Sequence, residues 1–89
     1  MPNPRLVFRM SSDEMYRIYA NYADSGTEDG RSMATLFGRY WKKSLNKRKV
    51  FEMTRVGLLR EAKHAHDNRW YEMEAILRDW SDKAVPDSA

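Results

Sequence analysis

The chain of 89 residues predicts a mostly α-helical protein. One N-terminal strand pairs in a dimer, two helices follow, and a C-terminal helical extension completes the chain. Three observations carry this expectation. Leu6, Phe8 and Met10 alternate with Arg5, Val7 and Arg9, the period of two that marks a half-buried strand. The following segments place their apolar residues at steps of three and four, one face of a helix. The rest of the chain reads as three or four helices, so it is not expected to build a sheet by itself. A lone strand leaves N–H and C=O groups unpaired on both edges, and the same strand of a second copy would satisfy them.

Met1 to Pro4, with two prolines and an asparagine, predicts a loose arm before the strand. Ser11 or Ser12 then offers a helix cap, and Asp13 and Glu14 supply negative charge to the first turn. Met15, Ile18, Tyr19, Tyr22 and Ala23 form the apolar face of this first helix, which ends at "DSG" with Gly26 suited to a left-handed position. The second helix carries Met33, Phe37, Trp41 and Leu45 at four-residue steps, beside Leu36 and Tyr40. Ser25 with Glu28, Asp29 and Ser32 all offer a start for it. Gly38, in its middle, costs about 1 kcal/mol against alanine unless something packs closely there.

Beyond residue 46, Phe51, Leu58, Ala62 and Ala65 mark one helical stripe, widened by Val56 and Leu59. Trp70, Met73, Leu77 and Trp80 step by three, four and three, the spacing of a coiled-coil seam. Asp67 or Asn68 could cap a separate final helix, so one long helix and two shorter ones both fit. "AVPDSA" predicts a frayed tail. The expected division is therefore 1–46 for the strand and two helices, and 47–89 for the extension.

Composition narrows the function. Cysteine is absent, which excludes disulfides, thiolate zinc sites and a cysteine nucleophile. No run of 18 apolar residues occurs and the N-terminus lacks an apolar signal core, so a cytoplasmic protein that does not span a membrane is expected. Chains of this size bury only roughly 60–65% of their unfolded surface. Three Trp, five Tyr, three Phe and six Met are a generous apolar supply, and self-association would use it. The net charge of +3 is unevenly spread. Arg39 to Lys63 holds nine Lys or Arg against two Glu, whereas His64 onward holds three basic residues against six acidic ones. The basic block suggests a polyanion partner or an intramolecular match to the acidic tail; a solvated helix face is the plainer alternative.

Candidate chemistry is sparse. His64 and His66 are two apart, which points them away from each other on a helix, and Glu61 with His64 makes a single Glu-x-x-His where a metal pair needs two. Ser11, Ser12 and Ser32 fit caps better than nucleophiles, and no phosphate-cradling glycine loop is present. Neither metal, cofactor nor catalysis is expected.

The residues "FRM" at Phe8–Met10 and "DGRSM" at Asp29–Met33, with the four-residue apolar steps after them, resemble the ribbon–helix–helix repressors of the Arc and Mnt type. The resemblance covers about half the chain. It implies a two-stranded ribbon that enters the major groove of double-stranded DNA, with Arg5, Val7 and Arg9 facing the bases. It also implies that N–H groups at Arg31 and Ser32 clamp a phosphate. Leu6, Phe8, Met10, Met33, Phe37 and Trp41 would then form the dimer core, and Trp70, Met73, Leu77 and Trp80 would join dimers into a tetramer or fold back onto their own core. The strand-to-helix turn looks one residue longer than in that type, and Val7 stands where a polar reader is usual. Arg5 and Arg9 also fit solvated edge charges, and Lys42, Lys43, Lys47, Arg48 and Lys49 fit either backbone contacts to DNA or solubility. The expected function is a sequence-specific transcriptional repressor. The alternatives are an antitoxin whose C-terminal helices bind a toxin, and a small phage-type helical protein that binds and inhibits a host protein.

Overall fold

The N-terminal strand lies in the middle of a sheet made by its own chain. In the computed structural model, which describes residues 5–87, strand β1 (Leu6–Ser11) is followed by α1 (Ser12–Tyr22), α2 (Glu28–Leu45), β2 (Val50–Thr54), α3 (Arg55–Asp67), α4 (Tyr71–Asp82) and β3 (Val85–Pro86). The protein is thus mostly helical with a small antiparallel sheet in the order β2-β1-β3. One edge of β1 pairs with β2 from Val7↔Thr54 to Ser11↔Val50, and the other pairs with β3 at Leu6↔Pro86 and Val7↔Val85.

The expected dimer ribbon is corrected by this topology. The strand expected to pair with a second copy pairs within its own chain, with β2 along Val7–Ser11 on one edge and with β3 at Leu6 and Val7 on the other. The missing strand was in the chain: "VFEMT" is β2, with Phe51 buried and Glu52 exposed, and not the first turn of a helical stripe. Its Thr54 then caps α3 by accepting a hydrogen bond from the Gly57 N–H at 3.1 Å.

Local signals set the helix boundaries. The Glu14 N–H donates to Ser11 Oγ at 3.2 Å, so α1 starts directly from the end of β1. The chain leaves α1 through Ala23 in ordinary right-handed backbone, and Gly26 does not take the left-handed position expected of it. Thr27 caps α2 by accepting from the Gly30 N–H at 2.9 Å, earlier than Asp29 or Ser32 would have done. A Cβ on Gly30 would overlap the Ser25 side chain, so glycine is needed there for close packing. Gly38 has the same kind of reason. A Cβ there would come within 3.1 Å of the Tyr19 ring, which lies against α2. Residues 55–82 form two helices, because α3 stops at Asp67, Asn68 serves as its C-cap, and Arg69 turns the chain with φ 63°.

One hydrophobic cluster draws on both halves of the chain: Met15, Met33, Leu36, Phe37 and Tyr40 meet Phe51, Leu58, Ala62, Ala65, Met73, Leu77 and Trp80. Burying each large apolar side chain contributes about 1.5–3 kcal/mol, and here these residues bury one another within a single copy. A division after residue 46 would cut through this core. The residues assigned to a dimer core are placed accordingly. Met33 and Phe37 are fully buried, Phe8, Met10 and Trp41 pack against the cluster from its rim, and Leu6 is half-buried. Of the two readings of the C-terminal stripe, the structure shows the one that folds back onto its own chain: Met73, Leu77 and Trp80 lie inside the core and Trp70 packs on its edge. Trp80 stacks on Phe8 with centroids 5.3 Å apart and rings nearly parallel, fixing α4 to the sheet.

Candidate polyanion-binding surface

The three residues expected to read bases have three different environments. Val7 is 0% exposed, because its register between Thr54 and Val85 gives its face a neighbour on each side. It has no surface to offer a thymine methyl. Arg9 is held by two carboxylates, its Nε 2.7 Å from Glu52 Oε2 and its Nη2 3.1 Å from Asp87 Oδ1. These hydrogen bonds, to Asp87 first and Glu52 second, raise its pKa above the ordinary arginine value. Arg9 therefore clips the sheet together and carries little unmatched charge. Arg5 is exposed, and its side chain faces a cleft.

The phosphate clamp is likewise corrected. Because α2 begins at Glu28, the Arg31 N–H already donates to Thr27 O at 3.0 Å, and Ser32 lies a residue further into the helix. The first-turn residues that precede them are Glu28 and Asp29, whose charges repel an anion. Their carboxylates are engaged on α4 instead. Asp29 Oδ2 accepts from the Glu72 N–H at 3.1 Å, and Glu28 Oε1 accepts from Trp70 Nε1 at 3.3 Å. No side chain of α4's own N-cap residue caps that helix, so Asp29 supplies the missing partner from 43 positions away. The Arg31 guanidinium donates to Gly26 O at 3.4 Å, closing the preceding turn.

What the structure does bring together is a cationic cleft of about 530 Å³ at the end of α2. Lys43 comes from the last turn of that helix, Lys47 and Arg48 from the turn into β2, and Arg5 from the start of β1. Ser44, Asn46, Val50 and Phe51 complete the wall. Glu52 also lines the cleft, but its carboxylate is engaged with Arg9. Lys42 and Lys49 extend the charge on either side in sequence. Among the described residues, none of Arg5, Lys42, Lys43, Lys47, Arg48 and Lys49 belongs to an ion pair.

Part of this charge has a local reason. Cations in a helix's last turn offset its dipole by about 0.3–1 kcal/mol each, which accounts for Lys42 and Lys43. It does not account for Arg48 and Lys49, which follow the helix and adopt φ 58° and 61°. That left-handed backbone costs L-residues roughly 1–2 kcal/mol each, and glycine or asparagine would relieve it. Two long cationic side chains hold the strained positions instead. The Lys49 carbonyl accepts from the Ser12 N–H at 2.9 Å, which ties the strained turn to the start of α1.

The remaining titratable groups are matched or isolated. Glu74 accepts from His66 Nδ1 at 3.0 Å and from Arg78 Nε at 2.9 Å, and these bonds, His66 first, hold its carboxyl below the usual range. His64 meets the edge of Trp70, so the two histidines do point apart. The Tyr40 hydroxyl is buried with no hydrogen-bond partner, and burial together with the nearby Glu61 charge pushes it far up. Among the described residues no group of three His, Asp or Glu could hold a metal ion, and no helix is long and apolar enough to cross a membrane.

The basic run "KKSLNKRK" was visible in the sequence. Its convergence with Arg5 was not, since that depends on β1 and β2 pairing. Comparison of the chain with protein-family models, with curated proteins and with solved structures finds no match.

Proposed function

We propose that this protein binds nucleic acid by its phosphate backbone, through Arg5, Lys43, Lys47 and Arg48 with Lys42 and Lys49 at the margins. The observation that supports this reading is a cleft of converging cations in which the acidic lining residue, Glu52, is already engaged with Arg9. A phosphate backbone provides that charge, and counterion release supplies the free energy of binding. The reading keeps the polyanion partner implied by the basic block and replaces the ribbon that would have entered the major groove. It is a binding function without catalysis, exercised in the cytoplasm.

Salt dependence tests it. With about four phosphate contacts, log affinity falls against log salt with a slope of about −3 to −4, or roughly 100-fold between 50 and 200 mM. Fluorescence anisotropy of a labelled oligonucleotide measures both. The triple variant Lys43→Glu, Lys47→Glu, Arg48→Glu should lose binding and keep its thermal midpoint. A slope near zero, or undiminished affinity in the triple variant, removes the proposal.

A further inference from the structure

A second surface flanks the same end of α2. Tyr16, Trp41 and Leu45 line an open cleft of about 510 Å³ between α1 and α2, with Arg17 on its rim and Asp13 at one end. Tyr16 is 47% exposed and Leu45 45%, a large apolar display for a helix pair whose opposite faces are well buried. The rings are held in place. Tyr16 and Trp41 have centroids 4.9 Å apart, and Tyr19 lies 6.0 Å from Trp41 with rings only 7° from parallel. Tyr19 is seated in turn on Gly38. The indole thus keeps one orientation before any partner arrives, which removes the ordering cost of binding.

Charge selects the occupant. Arg17 borders the aromatic cleft, and Arg39 and Lys42 line the adjoining hollow with Tyr19. Trp41 and Leu45 lie on one side of the last turns of α2, with Lys43 on the other and Lys47 in the turn that follows. A helix with side chains is roughly 10–12 Å across, a span that a few nucleotides of flexible strand can bridge. Fixed aromatic faces between cations are what unpaired bases and their phosphates require. A duplex keeps its base faces stacked inside and cannot use them.

We infer that Tyr16 and Trp41 form a stacking ledge for bases of single-stranded nucleic acid, with Arg17 and Lys42 on its phosphates and Asp13 repelling the strand from the far end. This rests on the phosphate-binding reading above and narrows it to single strands.

The test compares a labelled 15-nucleotide oligo(dT) with a 15-base-pair duplex at 50 mM salt. Base–aromatic stacking of the usual strength predicts that Tyr16→Ala weakens oligo(dT) about 5- to 150-fold and leaves duplex affinity unchanged. Tryptophan emission should be quenched by oligo(dT) in the native protein, and that quenching should be lost in Trp41→Phe, where Trp70 and Trp80 remain as internal controls. The emission readout stands even if Tyr16→Ala lowers stability. Duplex binding as tight as oligo(dT), or quenching that persists in Trp41→Phe, overturns the ledge while salt-sensitive binding lost in the triple variant would still uphold the phosphate surface. Failure of the native protein to bind either probe overturns both.

Discussion

The seam along α4 and the turn after α2 treat charge in opposite ways. Along the seam, polar groups are matched, Asp29 with the Glu72 N–H, Glu28 with Trp70 and Tyr22 with Glu72 across elements distant in sequence, and Glu74 with His66 of the preceding helix and Arg78 of its own. In the turn after α2, Lys47, Arg48 and Lys49 make no ion pair among the described residues, and two of them sit on strained backbone. The difference separates two uses of a charged side chain. Charges on the seam hold helices together, and charges at the turn repel one another until something anionic arrives. Substitutions should divide the same way, the seam governing stability and the turn governing binding.

The largest effect should come where the seam meets the core. Trp80 touches Phe8, Phe37 and Phe51, so Trp80→Ala should cost about 3–5 kcal/mol, read as a lower urea midpoint. A cost below about 1 kcal/mol would mean that α4 does not anchor the sheet. Next is Asp29→Ala, which removes the long-range cap of α4 and should cost about 0.5–2 kcal/mol. Asp29→Asn keeps an acceptor oxygen and should recover most of that loss; equal destabilisation by both would point away from the cap.

At the turn the sign reverses. Arg48→Gly should leave stability unchanged or raise it by up to about 1 kcal/mol by relieving the left-handed backbone, while weakening nucleic-acid binding. Loss of stability there would remove the contrast between the two regions. The smallest effect concerns pH. The Glu74 carboxyl is depressed in the folded state, so its contribution is present above the ordinary carboxylate range and is lost as pH falls through it and below. Glu74→Gln should therefore lower stability slightly in the neutral region and flatten the acid limb, so that the two stability curves converge at low pH.

The first two helices were legible from sequence because their apolar stripes and the Ser11 cap act locally, whereas the Thr27 cap of α2 was not among the starts the sequence offered. Ser11 lies three residues before the N–H it caps, and Met33, Phe37 and Trp41 need only a helix to share a face. The strand was legible for the same reason, since alternation from Arg5 to Met10 is a property of six residues. Its partner was not. "VFEMT" alternates too, but its five residues run into a helical stripe, and β3 has only two. Val7 shows the cost of missing them. As an isolated strand residue it faces outward, and only with Thr54 and Val85 beside it does it become fully buried. Arg9 changes role likewise once Glu52 and Asp87 are adjacent. For the candidate site, the basic run itself was readable, and the neighbour brought by the sheet was not.

Pro86 gives the short strand β3 an importance out of proportion to its length. Proline has no N–H to donate, so the outward rim of the sheet on that side cannot extend a regular ladder to an incoming chain. On that side one residue disfavours the addition of a further strand, while β2 forms the sheet's other edge. Replacing Pro86 with valine would hand an aggregating neighbour the hydrogen-bond donor it lacks.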